Sequence, residues 1–158
     1  MRIKNNVVDW ISLGLSVAAF VIAGLFLAIR WKEIPDKVAT HFRINGQVNG
    51  YSEKSTLIFF LVIIAVLIII FQISLFFPGM WNFPITITDG NRYIVYRLAK
   101  YMLDMMQVII TVSFSAMLVL MASGKELPNW LTFAELGVLL GGALIWTIVI
   151  CVKGKANA

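Results

Sequence analysis

Residues Leu57 to Phe77 read LIFFLVIIAVLIIIFQISLFF, a run that contains no charged residue and is interrupted only by Gln72 and Ser74. A helix of about 20 apolar residues is long enough to cross the hydrocarbon core of a bilayer. Pro78 and Gly79 follow at once, and both favour the end of a helix and a turn. We therefore interpret this run as a membrane-spanning helix.

Three further apolar runs occupy most of the remaining chain, and the first is too long for a signal peptide. Of the 158 residues, 60% are hydrophobic and 13% are charged, whereas roughly a quarter are charged in soluble proteins. We predict an all-α membrane protein whose single domain, residues 1–158, has four transmembrane helices. Their expected bounds are about 7–29, 57–77, 105–122 and 133–152.

The net charge of +5 does not indicate nucleic acid, because the basic residues flank apolar runs, where they meet lipid head groups. The chain has one cysteine, Cys151, and one histidine, His41, and it lacks the common motifs of hydrolases, phosphate loops and zinc proteases. We therefore expect no enzyme activity, no metal and no other cofactor. Lys and Arg are divided almost evenly between the two sides of the membrane. The acidic residues make the side of the first and third loops the less basic one, which favours termini in the cytoplasm.

The third apolar run is preceded by a polar segment with no helix breaker, because no proline or glycine occurs from Asn91 to Ser123. One continuous helix over this stretch would exceed the thickness of a bilayer. Its surplus, residues 91–104, carries a polar stripe that we interpret as a juxtamembrane cytoplasmic helix, lying at head-group level or projecting from it, in which Lys100 can pair with Asp104. The stripe contains Tyr93, Arg97, Lys100 and Asp104, with Arg92 at its start.

The first loop, residues 31–55, has the pattern of a β-hairpin. Apolar and polar residues alternate from Val38 to Ile44, and the pair Asn45-Gly46 is the strongest short hairpin-turn signal. A second pair, Asn49-Gly50, offers another turn-prone position. We predict a small hairpin-like cap over one mouth of the helix bundle.

The same loop resembles the signature of a bacterial membrane domain of unknown function. The residues that carry the resemblance are Ile34 to Val38, Thr40-His41-Phe42, Asn45-Gly46, and Asn49-Gly50-Tyr51 through Lys54. A later stretch, from Pro78 to Pro84 and through Arg97-Leu98-Ala99, is similar to the same group. That domain also forms part of SdpI-type immunity proteins, which are polytopic membrane proteins that protect cells against a secreted sporulation-delaying toxin.

The resemblance implies a protein of the bacterial cytoplasmic membrane that recognises a secreted peptide or another membrane protein through its first loop, in toxin protection or envelope sensing. The candidate contact residues are His41, Phe42, Asn45, Gly46, Asn49, Gly50, Tyr51 and Lys54. The helix that carries Arg92, Arg97, Lys100 and Asp104 would transmit the bound state to a cytoplasmic partner. For His41, a structural hydrogen bond to a carbonyl or carboxylate remains open beside recognition.

Two other functions remain open from the sequence. Glu135 lies about one turn inside the fourth run, where an acid can serve a small transporter or transporter subunit, or can form a structural ion pair with Arg30 or Lys32. Asp9, beside Trp10 near the start of the first run, is a weaker candidate. Small residues at Gly137, Gly141 and Gly142 favour close helix packing, within the chain, in a homo-oligomer or in an assembly with a membrane partner.

Overall fold

A computed structural model of the chain describes residues 3–43, 47–125 and 128–157, with only the backbone at positions 129 and 132. It contains four long helices, each with a segment long and apolar enough to cross a membrane. They are α1 (Val7–Arg30), α2 (Thr56–Phe76), α3 (Arg92–Ala122) and α4 (Asn129–Ala156). The predicted fold class is confirmed.

The third helix is the centre of the bundle, because α3 packs against α1, α2 and α4. It is continuous over 31 residues, as the absence of proline and glycine predicts, and is about 46 Å long at 1.5 Å per residue. We use the name loop end for the end of the bundle at which α1 and α3 begin and at which α2 and α4 terminate. The opposite end is the hairpin end.

At the hairpin end, β1 (Lys37–Phe42) and β2 (Val48–Glu53) pair as an antiparallel hairpin, which confirms the predicted cap. The side chain of Val38 is only 3% exposed and packs with Ile34 against an apolar cluster of the helices. The helix residues of this cluster are Ala23, Leu27, Leu57, Ile64, Ile68, Leu118, Met121 and Ala122. The predicted turn residues Asn45 and Gly46 lie outside the described residues.

At the loop end, the connection between α2 and α3 is packed onto the helices. Its apolar side chains, Trp81, Phe83, Ile85 and Ile87, lie against Val95, Ala99 and Ile150. The amide of Asn91 donates to the carbonyl oxygens of Thr86 at 3.0 Å and Gly154 at 3.1 Å. The connection therefore joins the start of α3 to the end of α4.

The three α4 glycines that the sequence indicates for helix packing divide into two groups. A Cβ atom at Gly142 would lie 2.7 Å from the terminal methyl carbon of Met105, so this glycine permits the close approach of α3 and α4. A Cβ atom at Gly137 or Gly141 would meet no other atom within 4 Å. Packing within the chain thus uses Gly142, and a homo-oligomer through the other two stays a prediction.

Candidate functional site

The outer face of the hairpin is polar and open. Successive side chains of a strand point to opposite faces, and here one face packs on the bundle while the other is exposed. The aromatic ring on this outer face belongs to Tyr51, which is 66% exposed. The exposed residues of the hairpin are Lys37, His41, Asn49, Tyr51 and Glu53. The register of the strands is irregular on both sides of His41, so this residue departs from the simple alternation.

The structure separates the predicted contact residues of the hairpin. His41, Asn49 and Tyr51 are each exposed, whereas Phe42 is partly buried against the apolar cluster. The role of Phe42 as a recognition aromatic beside Tyr51 stays a prediction, with its ring packed in part against the helices. Gly50 has a packing role: a Cβ atom there would lie 3.0 Å from the Cβ atom of His41.

Lys54 forms an ion pair at the base of the hairpin. Its Nζ atom lies 2.9 Å from Oδ1 of Asp36 and 5.8 Å from the ring centroid of Trp31. The hydrogen bond from Lys54, together with its positive charge, lowers the pKa of Asp36 below the usual value. Beside this pair lies a cavity of about 370 Å³, lined by Trp31, Asp36, Lys37, Glu53, Lys54 and Ser55.

A second polar site lies inside the bundle near the loop end. It consists of Asp9, Arg97, Lys100 and Asp104, which we call the charge cluster. Their exposed fractions are 4%, 8%, 2% and 2%. Oδ2 of Asp9 lies 3.2 Å from Nη1 of Arg97 and 3.3 Å from Nζ of Lys100. Both partners of these ion pairs are buried, so their charges are poorly screened by water.

This arrangement corrects the interpretation of the polar stripe on α3. Arg92 and Tyr93 are exposed as predicted, but Arg97, Lys100 and Asp104 turn towards α1 instead of the lipid head groups. The predicted pairing of Lys100 with Asp104 is replaced by the pairing of Lys100 with Asp9. These three side chains are buried because α3 packs against α1 at this point. Polar residues at this spacing are otherwise typical of an exposed helix face.

The residues just before α1 complete the cluster. Asn6 caps the helix, accepting from the backbone N–H groups of Val8 and Asp9, while the Asp9 carboxylate accepts from the N–H of Asn6. Arg97 also donates to the carbonyl oxygen of Lys4, and Lys100 to Oδ1 of Asn5, both at 2.6 Å. One carboxylate, that of Asp9, therefore serves the capping box and both cations.

Smaller polar groups continue from the charge cluster into the bundle, and we call them the polar track. Its members are Ser12 and Ser16 on α1 and Gln107, Thr111 and Ser115 on α3, all buried. Gln72 of α2 joins it by donating to Oε1 of Gln107 at 2.8 Å. From Arg97 to Ser115 the helix rises about 27 Å at 1.5 Å per residue, close to the thickness of a hydrocarbon core.

A sequence signal for this site exists. Asp9, Ser12 and Ser16 follow the i, i+3, i+7 spacing of one helix face. On α3 the same 3–4 spacing runs from Arg97 through Asp104 and on to Gln107, Thr111 and Ser115. The sequence prediction ends this stripe at Asp104, because it places residues 91–104 at the head groups and the following residues in the lipid.

Glu135 is not brought together with its predicted partners. It lies half-buried near the start of α4, and Arg30 pairs with Glu33 at 2.6 Å. Within the described part of the chain, no group of three His, Cys, Asp or Glu side chains could hold a metal ion. The two candidate sites are therefore the outer face of the hairpin and the charge cluster.

Comparison with known proteins gives one match. A family model, described as a domain of unknown function (DUF1648), matches residues 18–66. These residues run from the middle of α1 through the hairpin to the middle of α2, so the outer face lies inside the match and the charge cluster outside it. No curated protein and no solved structure matches the chain. The chain is thus a multi-pass membrane protein whose hairpin segment is similar to this domain of unknown function.

Proposed function

We propose that this protein is a non-enzymatic recognition protein of the bacterial cytoplasmic membrane, with the hairpin outside the cell and both termini in the cytoplasm. Its ligand is a secreted peptide, with another membrane protein as the second class of partner, and its role is toxin protection of the SdpI type or envelope sensing. The observation that carries the proposal is the anchored hairpin with an exposed outer face.

Two features of the hairpin support recognition. The inward side chain of Val38 holds the hairpin on the bundle and the Asp36–Lys54 pair joins the two ends of the hairpin, so little conformational entropy is lost when a ligand binds. The outward ring of Tyr51 is the kind of rigid aromatic side chain that dominates binding energy at interfaces.

The cavity at the base of the hairpin adds a place for a peptide side chain. It holds an indole ring, from Trp31, beside charges of both signs from Lys37 and Glu53. A cationic or aromatic side chain fits such a lining, because the indole face attracts cations and stacks on rings.

The test is protection of cells that are sensitive to the secreted sporulation-delaying toxin. Expression of this chain should raise their survival, and Tyr51→Ala and His41→Ala should each abolish the gain at equal membrane levels. Loss of an aromatic anchor costs about 2 kcal/mol, or about 30-fold in Kd.

Trp130→Ala is the matched control, since this ring is 62% exposed but lies on α4, outside the hairpin. It should leave protection unchanged. Unaltered survival on expression of the native chain, or equal losses with Trp130→Ala and Tyr51→Ala, would refute the proposal.

A further inference from the structure

The charge cluster distributes its ion pairs unevenly between its two acids. Asp9 lies within 3.3 Å of both cations. Asp104 is equally buried, at 2% exposed, yet no Lys or Arg nitrogen of the described residues lies within ion-pair distance of it. An ionised carboxylate that is buried with no paired cation is strongly unfavourable, so a group in this position binds a proton or a cation.

The two carboxyl groups also face each other. Asp104 lies within hydrogen-bonding reach of Asp9. Oδ1 of Asp9 and Oδ2 of Asp104 are buried and receive no hydrogen bond from the described residues. Two neighbouring carboxylates repel each other when both are ionised, and a single proton between them removes the repulsion.

We propose that Asp104 is a proton-binding site, with its carboxyl group donating the shared proton to Asp9. Arg97 and Lys100 hold Asp9 in the ionised state, because both donate to its Oδ2 atom or lie within ion-pair distance of it. The same two positive charges repel a metal cation, which favours a proton as the occupant. This site is independent of the recognition role of the hairpin.

Among the described residues, no further charged side chain forms an ion pair with the cluster and could take the place of the proton. From α1 the only charged side chain that faces the site is Asp9, and the segment before it supplies Asn5 and the backbone of Lys4. The α2 segment has no charged residue, and it contributes the amide of Gln72. The charged residues of α4 make no contact with the cluster in the described part of the chain; they are Glu135, Lys153 and Lys155.

In the part of the chain that the structure describes, the polar residues that lead to the site start at the loop end. Asn5 and Asn6 border the cluster there, with Asn6 donating to the Tyr101 hydroxyl at 2.6 Å. In the opposite direction the polar track ends at Ser115, and beyond it Leu118 and Met121 close the bundle beneath the hairpin. The site is therefore loaded from the side on which α1 begins.

Infrared spectroscopy of the full chain in lipid nanodiscs tests the proposal. Glu135→Gln serves as the background, so that the carboxyl group of Glu135 on α4 does not contribute to the spectrum. Near neutral pH this protein should show the C=O band of a protonated carboxylic acid, and the band should shift in D2O. Asp104→Asn should remove it, Asp104→Glu should retain it, and the exposed Asp89→Asn should leave it unchanged.

Asp9→Asn supplies a second, independent test. With Asp9 neutral, Asp104 becomes the only carboxylate near Arg97 and Lys100, so it should ionise and the band should disappear. A band that survives Asp104→Asn, or one that survives Asp9→Asn, would overturn the proposal, as would its absence from the Glu135→Gln protein. Circular dichroism confirms that each variant keeps its helices, and if Asp104→Asn fails to fold, Asp9→Asn decides the question.

Discussion

The two ends of the bundle place their polar groups in opposite ways. At the hairpin end the interior is apolar, around Leu118 and Met121, and the charged side chains lie outside on the hairpin. At the loop end the interior holds the charge cluster between α1 and α3. The same two helices thus share an apolar contact at one end and an ionic contact at the other.

This difference shows that an apolar run need not pack through apolar contacts alone. In lipid, a helix gains little from burying apolar side chains against its neighbours, so close packing and polar contacts hold the helices together. Asp9 and its two cations can therefore fix the rotation of α1 against α3, while the apolar cluster sets their separation beneath the hairpin. Four substitutions test this contrast, in order of decreasing effect.

The largest effect should come from removing both acids of the charge cluster. Asp9→Asn with Asp104→Asn leaves Arg97 and Lys100 buried without a counter-charge, which costs about 3 to 5 kcal/mol. Either single substitution should cost less, because the remaining carboxylate can pair with Lys100. The measurement is the free energy of unfolding in a denaturing-detergent titration of all four proteins. Additive single effects would contradict the idea that the two acids act as one unit.

At the other end, Leu118→Ala should lower the free energy of unfolding by about 2 kcal/mol. This is the lower limit for a Leu→Ala substitution that leaves a cavity in a protein core. Leu118 is 1% exposed and lies beneath the hairpin, so its loss removes packing but leaves no unpaired charge. Val112→Ala on the same helix is the control, since that side chain is 43% exposed. The same detergent titration applies, and equal costs for both variants would mean that the apolar cluster is not tightly packed.

The pairing of the hairpin strands can be weakened without a change in the charge cluster or the apolar cluster. Gly50→Ala would place a methyl group 3.0 Å from the Cβ atom of His41, so the strands must separate slightly, at a cost of about 1 kcal/mol. Hydrogen exchange of the β1 and β2 amides should become faster, while exchange in α3 should not change. Gly79→Ala, where the new atom meets nothing within 4 Å, should leave hairpin exchange unaffected.

The smallest effect should be the loss of the exposed ion pair at the hairpin base. Because Lys54 lowers the pKa of Asp36, the pair adds stability above the unfolded value near 3.8 and loses it as the pH falls through the lowered pKa. The Asp36 side chain is 93% exposed, so solvent screens the pair. NMR titration of the Lys54 amide, which donates to the Asp36 carbonyl, should show this transition below pH 4. Asp36→Asn should abolish this transition. If the transition persists in that variant, another group titrates instead.

Local patterns were enough to predict most of the fold. The bounds of α1 and α2 differ from the predicted runs by one residue at most, because hydropathy and the Pro78-Gly79 breaker act on neighbouring residues. The hairpin followed from alternation, and the continuity of α3 from the lack of a breaker. At the hairpin, the partial burial of Phe42 required the tertiary structure, and the binding roles of His41, Phe42 and Tyr51 stay predictions.

By itself, then, the sequence determined four membrane-spanning helices, one antiparallel hairpin and the existence of a polar stripe on α3. Only the tertiary structure decided what that stripe meets. Asp9 and Arg97 are separated by 88 positions in the chain, and their contact depends on how two helices are rotated about their axes. Helical periodicity shows which residues share a face, but it does not show whether that face meets water, lipid or another helix.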